Sequence, residues 1–535
     1  MTSKTSIAPS ASSSPRFSKA AFSRLGSRLF ALLLGVGLTA CGSGAELDVT
    51  ILRATQVDSS VDDPFERVTE LHFRVFHADT KEIFQDASAN LSKGKVSLSD
   101  LPTGKPLKIR ATGYANGEVV SWGESSRFKL PEGPSSEVIS VVLTLRKVDS
   151  WSPVLSHNGV TTTVASLKKE RAAHTATLFD DGRVLLIGGF QSSEANQLYV
   201  NSFELLDPAS GELIWRDDEE ARRAHHTALR LQDGTILVSG GNSSAVQAET
   251  GATTPFTRLD NQFFDQGSLT WSPTLGFPSA RAHHQASLFG SGAFQGQVQF
   301  FGGTGISGSQ VLFVAPGDAL YDPTRKTFTD GVVTQGRVGH ALVPILTGHY
   351  QIVVGGQLPH GELATNWLVF SSADAPVLEV SATPRLHSAA VAYDDCSVFA
   401  MGGFGADGAP LQTTHLAQFK GLPCGGNTGT PPDLSAARGQ MCAVTLKNGS
   451  ILAVGGRTSM TASSTASAAV DLFSASSGHL MSEATPPMSQ PRYLHTCTLL
   501  DNGMLLVTGG IGASGTAVNT MEIYTPKPVP YPEWQ

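Results

Sequence analysis

The feature that most limits what this chain can fold into is one unit repeated seven times along its C-terminal two-thirds. Each copy opens on an arginine, passes through an apolar strand, a polar turn and a second apolar strand, and ends on Gly-Gly. The arginines are Arg171, Arg223, Arg281, Arg337, Arg385, Arg438 and Arg492. The glycine pairs are Gly188 with Gly189, Gly240 with Gly241, Gly302 with Gly303, Gly355 with Gly356, Gly402 with Gly403, Gly455 with Gly456, and Gly509 with Gly510. Arginine and glycine stand 17 residues apart in five copies, 18 in one and 21 in one, whereas successive pairs are spaced 52, 62, 53, 47, 53 and 54 residues. A constant hairpin with variable spacing puts the insertions in the loops after Gly-Gly. Asp181-Gly182, Asp233-Gly234, Asn448-Gly449 and Asn502-Gly503 are the dipeptides a tight hairpin turn requires, because they accept positive φ. A third strand ends in Leu206-Asp207-Pro208, Phe264-Asp265 or Tyr321-Asp322-Pro323, and a fourth carries Trp215, Trp271 or Phe328. Four short strands in about 50 residues make a propeller blade, whose sheet cannot bury both faces unless blades stack radially. The expected fold is all-β, with a seven-bladed β-propeller over residues 148–535.

These residues resemble the kelch repeat of the galactose-oxidase central domain. Blades 1 to 3 match it throughout. Blades 4 and 5 match weakly after Gly-Gly, where Trp367-Leu-Val-Phe370 and His415-Leu-Ala-Gln-Phe419 lack the Asp-Pro. The resemblance implies a ring closed by a blade shared between the chain ends. Two segments could supply the closing strand: Ser150-Trp151-Ser152-Pro153 and Pro530-Tyr531-Pro532-Glu533-Trp534. The prolines of the second disfavour ladder hydrogen bonds, so Trp151 is preferred. The family also contains copper radical oxidases, which use a cross-linked Tyr–Cys pair, a second tyrosine and two histidines. With eight tyrosines in all and Tyr531 close to the end, this chain is not expected to carry their extra copper-binding domain.

The amino-terminal part is different in kind. Lys4, Arg16, Lys19, Arg24 and Arg28, with no acid among them, precede an apolar run from Leu29 to Ala40. That run is shorter than the ~20 residues needed to cross a bilayer, so residues 1–40 read as a signal peptide. Leu38-Thr39-Ala40-Cys41 resembles the lipobox of bacterial lipoproteins, which implies lipidation of Cys41 and anchoring through that lipid alone. Gly42, where that family often has Asp for inner-membrane retention, favours the outer membrane. Losing the five basic residues takes the formal charge from −8 to −13, which argues against nucleic acid as a partner. Residues 41–46 are expected to be a tether. Residues 47–147, with alternating segments such as Leu71-His-Phe-Arg-Val75 and Ile139-Ser-Val-Val-Leu-Thr-Leu145, read as a small immunoglobulin- or prealbumin-like β-sandwich serving as a spacer.

His174, His226, His284, His340 and His495 lie three residues after their arginines, and His225 and His283 precede two of them. A metal ring is one reading. Because the position recurs in five blades and holds Ser388 and Met441 in the others, the favoured reading is structural, each Arg and His tying its blade to the next. No metal and no cofactor is expected. Four cysteines follow Cys41 and allow three pairings. Cys442 and Cys497 lie four and five residues after their arginines, so adjacent blades can present them to each other; Cys396 with Cys424 is the complementary pair. No hydrolase or metalloprotease motif is present. The sequence favours a non-catalytic, lipid-anchored cell-envelope protein that binds an unknown protein or glycan partner, with a kelch-type sugar epimerase or mutarotase as the alternative. The longest insertions follow blade 2 (Ser243 to Asn261) and blade 6 (Arg457 to Ala469). An arginine grouped with one or two carboxylates at the channel mouth would favour the enzyme; a broad apolar patch would favour protein binding.

Overall fold

The computed structural model describes residues 34–39, 46–55, 63–90, 101–133, 137–246, 253–277, 279–307, 310–313, 317–331, 336–371, 378–419, 430–461, 465–476 and 479–528. Cys41, Cys424 and the Tyr531–Trp534 segment lie outside them.

Seven antiparallel sheets form a propeller, six with four strands and blade 5 with three among the described residues. The second strand of every blade is mostly apolar and almost wholly buried. Val184–Ile187, Ile451–Val454 and Ser397–Met401 are buried at every position, because both faces of a blade are covered by its neighbours. The first strand, such as Thr175–Leu178, is half-buried along the central channel, and the fourth, such as Leu213–Asp217, is exposed at the rim. Blade 7 is completed by Ser150–Pro153, which pairs with Met521–Thr525 and sets Trp151 opposite Tyr524. Trp151 is fully buried and its Nε1 donates to the Pro486 carbonyl at 3.0 Å. The ring is thus closed by residues from both ends of the propeller sequence.

The small domain is one half-barrel sheet, not two stacked sheets. Its order is Leu34–Thr39, Glu46–Arg53, Val138–Lys147, Glu118–Glu124, Pro106–Ala115, Glu70–His77, Ile83–Asn90, with Phe128–Lys129 beside Pro106–Ala115. Glu46–Arg53 and Val138–Lys147 pair in parallel, and the rest of the domain is the crossover that such a pair needs. Alternate residues of the strands meet in one core that includes Leu47, Ile51, Phe73, Ile109 and Leu143. Leu34–Thr39, in the run read as the signal core, pairs antiparallel with Glu46–Arg53 at the sheet edge. Removal of that edge strand would leave Glu46–Arg53 still paired with Val138–Lys147.

This domain is docked on the propeller. Trp122 is 1% exposed and packs among Val184 and Leu206 of blade 1 and Leu500, Met504 and Leu506 of blade 7. Its Nε1 donates to the Pro526 carbonyl at 2.8 Å, and Arg110, ion-paired with buried Glu124, covers its ring at 4.9 Å. Arg146, fully buried with its pKa lowered to about 9 by desolvation, donates to Ser152 Oγ and to the Pro153 carbonyl (2.7 Å). The space beside this contact is lined by the hairpin turns at Asp181-Gly182 and Asp501-Asn502. The small domain therefore sits against the hairpin-turn face, and the Gly-Gly loops open on the opposite face.

Candidate functional site at the channel mouth

Two hydrogen-bond circuits hold the blades at the Gly-Gly face. In all seven junctions the second glycine's N–H donates to the carbonyl of the next blade's repeat arginine at 2.8–2.9 Å, from Gly189 to Arg223 round to Gly510 to Arg171. A Cβ on Gly188 would collide with the Arg223 carbonyl oxygen, so the φ values of 58° and 92° at Gly188 and Gly189 and their lack of side chains serve the same close approach. Inside this circuit runs a smaller one. The residue two after each arginine, namely Ala173, His225, His283, Gly339, His387, Gln440 and Leu494, has φ from 52° to 66°. At five junctions its N–H donates to the carbonyl of its counterpart in the preceding blade at 2.7–3.1 Å. The left-handed backbone turns these side chains toward the channel.

The repeat arginines act differently from the expectation. In every blade but the third their guanidinium groups fold back on their own blade, where those of Arg171, Arg385, Arg438 and Arg492 each donate to the first glycine's carbonyl at 2.8 Å. In blades 1, 2, 6 and 7 they also pair with third-strand carboxylates, Glu204, Asp260, Asp471 and Glu522. A buried guanidinium has five N–H donors to satisfy, and its own hairpin and third strand hold the nearest acceptors. It is the arginine carbonyl that accepts the hydrogen bond from the preceding blade. The histidines bridge blades through their side chains: His226 Nε2 meets Thr175 Oγ1, His284 Nε2 meets Thr227 Oγ1 and His174 Nε2 meets Thr508 Oγ1, each at 2.9 Å.

Burial holds these imidazoles neutral. It lowers the pKa values of His340 and His495 to about 3, and those of His283 and His387 to about 4. An unfolded histidine titrates near 6.5, so above that pH these groups contribute no charge-linked change. Below it the unfolded chain takes up protons that the native state refuses, until the native pKa is reached. Stability should therefore fall from about pH 6.5 downward, each histidine adding about 1.4 kcal/mol per pH unit at full effect. Urea midpoints measured between pH 7 and pH 5 would check this; a flat profile would contradict it.

The channel opens at this face into a cavity of about 720 Å³. His225 and His283 stack in its wall with centroids 3.9 Å apart and planes at 26°, an arrangement that repulsion would break if both were protonated. Gln197 Nε2 lies 3.3 Å from His225 Nε2. Across the mouth, Arg457, which follows the Gly-Gly of blade 6, donates to Glu194 Oε2 of the blade 1 loop at 2.9 Å. Tyr493 of blade 7 lies beneath the guanidinium, 5.0 Å from its ring centroid, and desolvation pushes its phenol pKa up. Arg457 is 5% exposed at its side chain and Glu194 38%, so the cation lies deep and the carboxylate faces the opening. Spacing in the sequence singles out His225 and His283, but not His387, Gln440, Glu194, Arg457 or Tyr493. His387 is legible as a histidine in the copy that lacks the usual one. The others depend on loops meeting across the ring.

The described blades and their closure decide the fold. The chain folds as a closed seven-bladed β-propeller. No family model and no curated protein matches it by sequence. Solved structures that resemble it include a novel fungal alcohol oxidase of the AA5 family in complex with copper, 16% identical, covering 70% of this chain and 76% of that one at a TM-score of 0.50. Another, described as the structure of YjhT, is 16% identical and covers 60% and 99% at 0.41. The likeness to the oxidase speaks for the fold alone. Among the described residues, the one group of three His, Cys, Asp or Glu donors close enough to share an ion is Cys442, His495 and Cys497, whose two sulfurs are joined to each other.

Proposed function

We propose that this kelch propeller is a lipid-anchored envelope protein that binds a small carbohydrate at its channel mouth. The observation that carries this reading is the Arg457–Glu194 pair, set by blades 6 and 1 over a cavity walled by neutral imidazoles and Gln440. A sugar offers hydroxyls that donate and accept in one plane, and such a wall supplies both functions with an aromatic face beside them. A cavity of about 720 Å³ suits a small ligand better than a protein surface. Met460 is the one large, exposed apolar side chain among the described lining residues, which argues against an apolar protein-docking patch there. Docking of the small domain on the hairpin-turn face is consistent with a membrane anchor on that side and the mouth pointing away.

Glycan-array screening of the chain lacking residues 1–41, followed by calorimetry on the best hit, tests the proposal. Arg457→Ala should weaken binding at least tenfold, about 1.4 kcal/mol, with blade stability nearly unchanged. Absence of any glycan ligand, or an affinity indifferent to Arg457, would overturn it. An arginine–carboxylate pair beside neutral bases also favours a second reading, epimerase or mutarotase chemistry. Exchange between sugar anomers, followed by NMR with and without the protein, separates the two, since a pure binder leaves the exchange rate unchanged.

A further inference from the structure

The junction of blades 6 and 7 departs from the pattern that three of the other histidine junctions share. Where His226, His284 and His174 each reach a threonine hydroxyl, His495 Nε2 reaches Cys442 Sγ at 3.2 Å. Cys442 occupies the position, four residues after its arginine, that holds Thr175 in blade 1 and Thr227 in blade 2. Blade 7 then adds a second sulfur, Cys497, five residues after Arg492, and the two cysteines are joined with their Cα atoms 6.2 Å apart. Donor atoms of Cys442, Cys497 and His495 all lie within 4.8 Å of one another. Cys442 and His495 also line the channel cavity, so a small solute can reach them from the mouth.

We propose that reduction of this disulfide converts the junction into a binding site for one thiophilic d10 metal ion, Zn2+ or Cu+. A small external dithiol supplies two electrons and two protons: the Cys442–Cys497 bond breaks to two thiols as the dithiol closes to its own disulfide. The metal ion then displaces both thiol protons and takes the neutral His495 imidazole as third ligand. Two thiolates and an imidazole are the donor set that such ions prefer, with the cavity side left open for a fourth, exchangeable ligand. The oxidised pair closes the site, which makes metal binding conditional on redox state.

The test is an anaerobic Zn2+ titration of the full chain, oxidised and reduced, with Co2+ as a spectroscopic stand-in. Reduced wild type should bind one Zn2+ that the oxidised form does not bind, and Co2+ should show thiolate charge-transfer absorption. Cys442→Thr restores the residue that blades 1 and 2 carry and should fold normally; it should lose this ion. Cys497→Ser is a second variant with the same expected loss. Cys396 is disulfide-bonded as well, and its own thiol would be freed by the same treatment, so the variants attribute the ion to its site. Reduced wild type without stoichiometric Zn2+, equal binding by the oxidised chain, or full binding by Cys442→Thr would each overturn the proposal.

Discussion

Replacing Arg171 by alanine should cost the fold about 3–5 kcal/mol, because it leaves Glu204 buried without its cation. Both side chains are fully inaccessible. Arg171 also donates to the Gly188 carbonyl at 2.8 Å, while Glu204 accepts from the Lys168 N–H at 2.9 Å, so one truncation strands acceptors on two strands. Arg281 is the internal contrast. It stacks 5.1 Å from the Phe277 ring and its guanidinium nitrogens make no hydrogen bond among the described residues, so Arg281→Met should cost under about 1 kcal/mol. Urea denaturation of the two variants measures the difference directly. Equal losses would show that the arginines matter for their bulk and not for their pairing.

Trp122→Ala should be the second severe change, at about 3–5 kcal/mol for an emptied large aromatic site. Its consequence differs in kind. Trp122 belongs to the small sheet, but its neighbours Val154, Val184, Leu500 and Met504 belong to the propeller, so the cavity falls at the seam between them. Losing the ring and its bond to the Pro526 carbonyl should separate the melting of the half-barrel from that of the propeller. Calorimetry would then show two transitions in place of one. A single unshifted transition would mean that Arg146 and its partners carry the docking by themselves.

The propeller was legible because its signals are local and repeated. Asp181-Gly182 and Asn502-Gly503 announce hairpins, and the buried second strands appear as short, mostly apolar segments in every blade. Proline chemistry favours Trp151 over Trp534 for the closing strand, and Trp151 supplies it. The half-barrel was less legible. Alternation along Leu71–Val75 reveals a strand with one buried face, but says nothing of which strand lies beside it. The parallel pairing of Glu46–Arg53 with Val138–Lys147 joins the two ends of the domain, and no short-range pattern encodes it.

The direction of the repeat arginines was hidden for another reason: one residue serves two blades through different atoms. Arg223 shows the division plainly. Its carbonyl accepts from the Gly189 N–H of blade 1, while its guanidinium donates to the Gly240 carbonyl of blade 2 at 3.1 Å. Spacing marks the residue but cannot say which of its groups crosses the junction.

What the sequence determined by itself is the ring: seven hairpins of nearly one length, glycines where blades approach most closely, and a tryptophan strand to close it. Each of these follows from contacts within a blade or between successive blades, so each leaves a mark at a fixed spacing. What only the tertiary structure decided is the mouth. Glu194 and Arg457 stand 263 residues apart and meet because the ring closes and brings blades 6, 7 and 1 side by side. His225, His283 and His387 share one cavity because a left-handed residue in each blade turns its side chain toward a common axis. The repeat builds that axis, and the residues that do not repeat give it a chemistry.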